Sequence, residues 1–222
     1  MLDTQRAAAW YRIQSTIAAQ AATLVAGLWD TVDPDAIGPT WRALLPTAVD
    51  AVAQTSLVAA SGAPRYVAAT VADAGLDPGP QIINPSKLVD RRVIEYQLLM
   101  PMFRALRRIE QGNSVTDSMV AGRNLAGLIG AQTTRDTARE AVEVSMVAEP
   151  RVDGYVRYLV APSCGRCAVL AGRVYPWSSG FKRHPRCDCQ HRPIVNGEKP
   201  AARSAVEGAP SSYLKSLTAS GQ

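Results

Sequence analysis

Gly154-Tyr-Val-Arg-Tyr-Leu-Val-Ala-Pro-Ser-Cys164-Gly-Arg-Cys167, answered after nineteen intervening residues by Cys187-Asp-Cys189, is the stretch that sets the architecture of this 222-residue chain. Its opening alternates aromatic and β-branched residues as a short strand does. Its continuation holds every cysteine the chain has, and both of its histidines, His184 and His191, flank the second pair. Two thiolates two residues apart reach one tetrahedral ion from a tight turn, which Gly165 eases. Two such pairs at this separation point to one structural zinc ion. The expected ligands are Cys164, Cys167, Cys187 and Cys189, with His184 in place of one of the last two as the alternative, and His191 the weakest donor. Two disulfides, or redox-active thiols, are the rival readings. The first thirty residues carry Asp3, Arg6, Arg12 and Asp30 and lack the apolar core of an export signal. A reducing compartment is therefore expected, and there clustered cysteines favour metal.

Upstream of this stretch the chain reads as helix. Ala7, Trp10, Tyr11, Ile17, Leu24, Val25 and Leu28 recur at three- and four-residue steps. Asp33-Pro34 and Gly38-Pro39 break the pattern, which resumes from Trp41 to about Ser61, pauses at Gly62-Ala-Pro64 and stops at Gly75. Residues 76–85 form a turn-rich connector. A further apolar face begins near Ser86, with Pro101 expected to kink or split it. After Gln111-Gly-Asn113, a cap at Ser114 or Thr116 opens a long helix to about Val147. Trp10, Trp29 and Trp41 lie on apolar faces as core residues, and Gly122, Gly127 and Gly130 imply close packing against another helix. No apolar run suggests a membrane span. The expected fold is α+β and predominantly α-helical. An elongated helical domain (1–150) precedes a small zinc-stapled α+β module (151–197) and a flexible tail (198–222).

Charge is unevenly placed. Residues 1–150 hold 13 basic and 15 acidic side chains, whereas residues 151–198 hold eight basic and three acidic ones. A positive field over the cysteine segment implies an acidic partner there. Arg157, Arg166, Arg173, Lys182, Arg183, Arg186 and Arg192, interleaved with Tyr155, Tyr158, Tyr175, Trp177 and Phe181, are candidates for phosphate contact and base stacking. The bland alternative makes those aromatics the core of a small domain and the arginines its solubility. Catalysis is not expected, and no catalytic residue is assigned. A hydrolytic triad needs a histidine as base, and both histidines sit beside the presumed ligands. A catalytic zinc would keep an open position with a nearby acid, and thiolates dominate here instead.

Cys164-x2-Cys167, Leu170-Ala-Gly172 and His184-Pro-Arg-Cys187-Asp-Cys189, preceded by the strand from Gly154, resemble the signature of the MuF-like minor head proteins of tailed bacteriophages, especially those of actinobacterial phages. The helical front, with its Trp41 segment, Tyr66 and the Thr134-Arg-Asp136-x2-Arg139 approach, is similar in texture. The resemblance implies a minor capsid protein of head morphogenesis, associated with the portal and with capsid or scaffold proteins. It also implies non-specific contact with packaged double-stranded DNA, no membrane, assembly in the host cytoplasm and a final place in the virion head. Some relatives are described as capsid maturation proteases, and a zinc module binding nucleic acid outside the virion is the remaining alternative.

Overall fold

A computed structural model describes residues 2–80, 83–161, 163, 165–176, 187, 189–198 and 206–207. The helices are α1 (Leu2–Trp29), α2 (Ile37–Ser61), α3 (Ala63–Asp73), α4 (Arg91–Leu98), α5 (Met100–Glu110), α6 (Val115–Ala148) and the short α7 (Gly165–Leu170). Four strands, β1 (Val152–Val160), β2 (Val174–Tyr175), β3 (Gln190–Val195) and β4 (Val206–Glu207), form a small sheet. The fold is thus mostly helical with a C-terminal sheet, as the sequence predicts.

Local signals explain most of the helix boundaries. Pro101 splits the expected helix into α4 and α5, with Leu99 between them. Helix begins later than Ser86: Pro85–Leu88 is a 3₁₀ turn, and α4 starts where the Asp90 carboxylate accepts from the Arg92 and Val93 amides. Ser114 caps α6 by accepting from the Asp117 amide at 3.0 Å while its hydroxyl donates to the Asp117 carboxylate.

The chain forms two compact units: residues 1–15, 60–84 and 138–222 in one, residues 16–59 and 85–137 in the other. Residues 151–197, expected to stand as a module of their own, share a unit with segments from the helical front. In the second unit the core gathers Trp29, Trp41, Val49, Val52, Leu98 and Met102. Trp29 and Trp41 meet edge to face at 5.0 Å, and each indole N–H donates to a carbonyl, that of Met119 (half-buried) and that of Leu98 (buried). The three glycines of α6 lie against α1. A Cβ at Gly130 would come within 2.9 Å of the Ala21 carbonyl, one at Gly127 within 3.2 Å of that of Ala22, and one at Gly122 would enter the Trp29 ring. Residues 37–73 are long and apolar enough by composition to cross a membrane, whereas the sequence reading finds no such run. Half of their most apolar window is buried in the fold, as a core helix is.

In the first unit β1 is the central strand, antiparallel to β2 and β3, with its end parallel to β4. That last pairing, Leu159 and Val160 with Val206 and Glu207, falls within the segment expected to be a flexible tail. Tyr155 and Tyr158 are fully buried, so these aromatics are core. Trp10 stacks on Tyr66 at 4.8 Å, and the Tyr66 hydroxyl donates to the His191 carbonyl in β3 at 3.0 Å. Arg6 and Asp73 pair through two hydrogen bonds of 2.5 and 2.8 Å. Gly154 has no room for a side chain, because a Cβ there would strike the Tyr175 carbonyl across the β1–β2 pair.

Candidate metal centre

Three of the four cysteines come together. Cys167 sits on α7, a turn of helix that the sequence reading does not foresee, and Cys187 and Cys189 lead into β3. Their sulfurs all lie within 4.8 Å of one another, with Cys167 to Cys187 at 3.5 Å and Cys187 to Cys189 at 2.9 Å. All three are buried, and none is in a disulfide. A tetrahedral ion at about 2.3 Å from each sulfur needs sulfurs close to 3.8 Å apart. The sulfurs lie within reach of one common ion, with the Cys187–Cys189 pair closer than that value, so the three cysteines could hold a metal ion, and thiolate donors select soft or borderline ions. Cys164 and His184 lie outside the described residues.

Two arginines surround the sulfurs. Arg157, fully buried on β1, directs Nη1 at Cys167 Sγ (3.3 Å) and Cys189 Sγ (3.5 Å). Arg139, fully buried on α6, donates from Nε to the Cys189 carbonyl and from Nη2 to the Cys187 carbonyl, each at 2.7 Å. Burial opposes the Arg157 charge, but the sulfurs of Cys189 and Cys167 outweigh it and hold the guanidinium protonated beyond its ordinary range. Hydrogen bonds from Cys167 and Cys189 draw the Cys187 thiol well below the usual thiol range. The same contacts, with burial, push Cys189 up.

The nucleic-acid candidates divide. Arg157 and Arg192 are corrections: both are buried, Arg157 against the cysteines and Arg192 against Glu198 at 3.2 Å, so neither is offered to a phosphate. Their positive charge is spent inside the unit rather than on its surface. Arg173 is exposed. Lys182, Arg183 and Arg186 lie outside the described residues, as does the Arg166 side chain. His191 is buried in β3 with its ring edge-on to Tyr155 at 4.5 Å and is not among the clustered donors.

Arg139 is the site residue that sequence reasoning missed as a functional group. A signal was there: it falls on the helix face of Ala138, Val142 and Met146, all buried, and a lone cation on an apolar stripe needs a buried partner.

Comparison with curated proteins and with solved structures gave no match to this chain. The comparison with protein families did, across residues 1–216. By that match, which takes in the helical front and the cysteine cluster alike, the chain belongs to the VG15 protein family, a phage-associated family of viral proteins.

Proposed function

We propose that the protein is a minor capsid component of a tailed phage, MuF-like in kind, built into the head at the portal vertex during assembly. The observation that carries this reading is the meeting of Cys167 with Cys187 and Cys189 in a chain that belongs throughout its length to a phage-associated family. Those cysteines are the motif on which the resemblance to MuF-like proteins rests. In this reading the ion is zinc, and its role is structural. Cys167, Cys187 and Cys189 supply three ligands and Cys164 the fourth, the alternative being His184 in place of Cys187 or Cys189. Zinc there would fix α7 and the start of β3 against β1 and perform no chemistry on a substrate.

Portal, capsid or scaffold proteins are the expected partners. Contact with packaged DNA, where it occurs, falls to Arg173 and to the basic residues between Arg166 and Arg186, since Arg157 and Arg192 are enclosed. Proteolysis is not part of the proposal: His191, the histidine within the described residues, is packed between strands as a core group.

The test is quantitative mass spectrometry of purified virions and of procapsids from the same phage, counting this chain against the portal subunit. A few copies per particle in both is the expected result. Absence from both would overturn the virion role and favour a nucleic-acid-binding zinc module. Presence in procapsids with loss from virions would replace a structural component with an assembly factor or a protease.

A further inference from the structure

We propose that Arg157 and Arg139 divide the support of the metal centre between them. Arg157 tunes the thiolates through N–H···S hydrogen bonds, and Arg139 braces the ligand backbone through its carbonyls. The inference rests on the metal reading above and adds two positioning residues to it.

The contacts differ in kind. Arg157 reaches the sulfurs of two presumptive ligands that are far apart in sequence, Cys167 on α7 and Cys189 before β3, from a central strand. Both contacts leave one nitrogen, Nη1, whose two N–H bonds are held in the plane of an always-charged guanidinium, so one Arg157 can address both sulfurs at once. A hydrogen bond to a thiolate withdraws electron density from sulfur. It lowers the thiolate's nucleophilicity and offsets part of the negative charge that several thiolates bring to one ion. Arg139 grips the backbone rather than the sulfurs in its 2.7 Å contacts, while its charge also draws on the Cys187 and Cys189 thiols. Its Nε and Nη2 span the Cys187 and Cys189 carbonyls at 2.7 Å, which fixes the backbone on either side of Asp188 and so the aim of both side chains. Both guanidiniums are fully buried. Burying two cations beside neutral thiols would be costly, whereas beside metal-bound thiolates each acquires countercharge.

A thiolate centre supported in this way is inert. The arrangement suits a staple that must keep its ion rather than exchange it, and it separates this cluster from the exposed, activated thiols of redox sites.

The experiment uses the full chain loaded with Co²⁺, whose sulfur-to-metal charge-transfer band reports thiolate electron density directly. Arg157→Met and Arg139→Met are each expected to weaken Co²⁺ binding by roughly 10- to 100-fold, the usual effect of removing a partner of a metal ligand. Arg157→Met, which removes the direct N–H···S contacts, should move the charge-transfer band to lower energy and speed alkylation of the loaded protein by iodoacetamide clearly more than Arg139→Met does. Arg157→Lys keeps the charge but not the fixed planar aim of the donors, so its band should fall between those of the wild type and Arg157→Met. That variant also provides the readout if Arg157→Met does not fold. An unshifted band in the Arg157 variants, or an equal shift in Arg139→Met, overturns the division of roles while leaving the metal reading intact. Failure of the wild-type chain to bind Co²⁺ overturns both.

Discussion

Glu149 shows how much one side chain can carry in this fold. Its carboxylate is fully buried at the end of α6 and accepts from the Gly79 amide at 2.7 Å and from the amide and Nη1 of Arg151, each at 3.2 Å. It thereby ties the 76–80 connector to the turn that leads into β1. Burial alone would raise its pKa, but the backbone donors of Arg151 and Gly79 and the Arg151 guanidinium hold it below the ordinary glutamate range. A folded value below the unfolded one means that the ionised group stabilises the protein at pH above the unfolded pKa. That contribution fades as pH falls toward the folded value. Glu149→Gln should therefore cost on the order of 1–3 kcal/mol at neutral pH, the usual penalty for breaking a buried charge-assisted hydrogen bond. It should also flatten the acid limb of thermal stability. Unfolding curves of both proteins from pH 7 to pH 3 provide the check, and parallel curves for the two would show that the carboxylate charge does not matter there. At this scale the sequence is an uneven guide. The cysteines and the buried tryptophans announce themselves by type, whereas Arg139 and Arg157 read as surface charge until the strand and helix around them are known to be enclosed.

Helix α6 illustrates how a rule of propensity is overridden by packing. Glycine costs a helix interior about 1 kcal/mol relative to alanine, and α6 carries three. Each faces α1 closely, Gly122 and Gly130 with no room for a Cβ and Gly127 with little, and the Trp29 ring opposite Gly122 is buried with its N–H engaged by the Met119 carbonyl. Gly122→Ala should accordingly destabilise the protein by about 1–3 kcal/mol, as overpacking does. Gly27 in α1 is the internal control, since it is exposed with nothing within 4 Å of an added Cβ. Gly27→Ala should stabilise by up to about 1 kcal/mol. Urea unfolding of the two variants should give opposite signs, and a stabilised Gly122→Ala would mean that the α1–α6 approach is looser than described. Elements with local causes were legible in advance: the caps, the proline split between α4 and α5, the ends at Gly75 and Gly112, and β1. Helix α7 and strand β3 were not. Gly165-Arg-Cys-Ala-Val-Leu170 is too short for a periodic pattern, and Gln190-His-Arg-Pro-Ile-Val195 hides its strand behind a proline and buried polar side chains. β3 exists because β1 pairs with it along most of its length, a non-local cause that no window of sequence contains.

The change of texture at Pro150 is real, yet compactness does not follow it. The unit that holds the cysteines also holds residues 1–15 and 60–84. Ala7 and Ala8 pack on Tyr158, Tyr11 meets the Tyr158 ring at 6.3 Å, and Tyr66 of α3 donates to β3. A sequence reading divides a chain where composition shifts; the fold divides it where buried surface is shared, and here the sheet shares its surface with helices from the front of the chain. The consequence can be measured. Metal binding to such a centre is itself folding free energy, so chelation should loosen whatever is cooperative with the cluster. Hydrogen exchange after metal removal should rise in β1 and β3. It should also rise in α3 around Tyr66 and in the first turns of α1 near Ala7, while the amides around Trp29, Trp41 and Leu98 keep their protection. A rise confined to residues 163–192 would show instead that the ion staples only its own loop and that the rest of the unit stands without it. The broader pattern would make the four-cysteine segment the keystone of a unit assembled from three separate parts of the chain. In that case losing one ligand would disable the first turns of α1 as surely as the sheet.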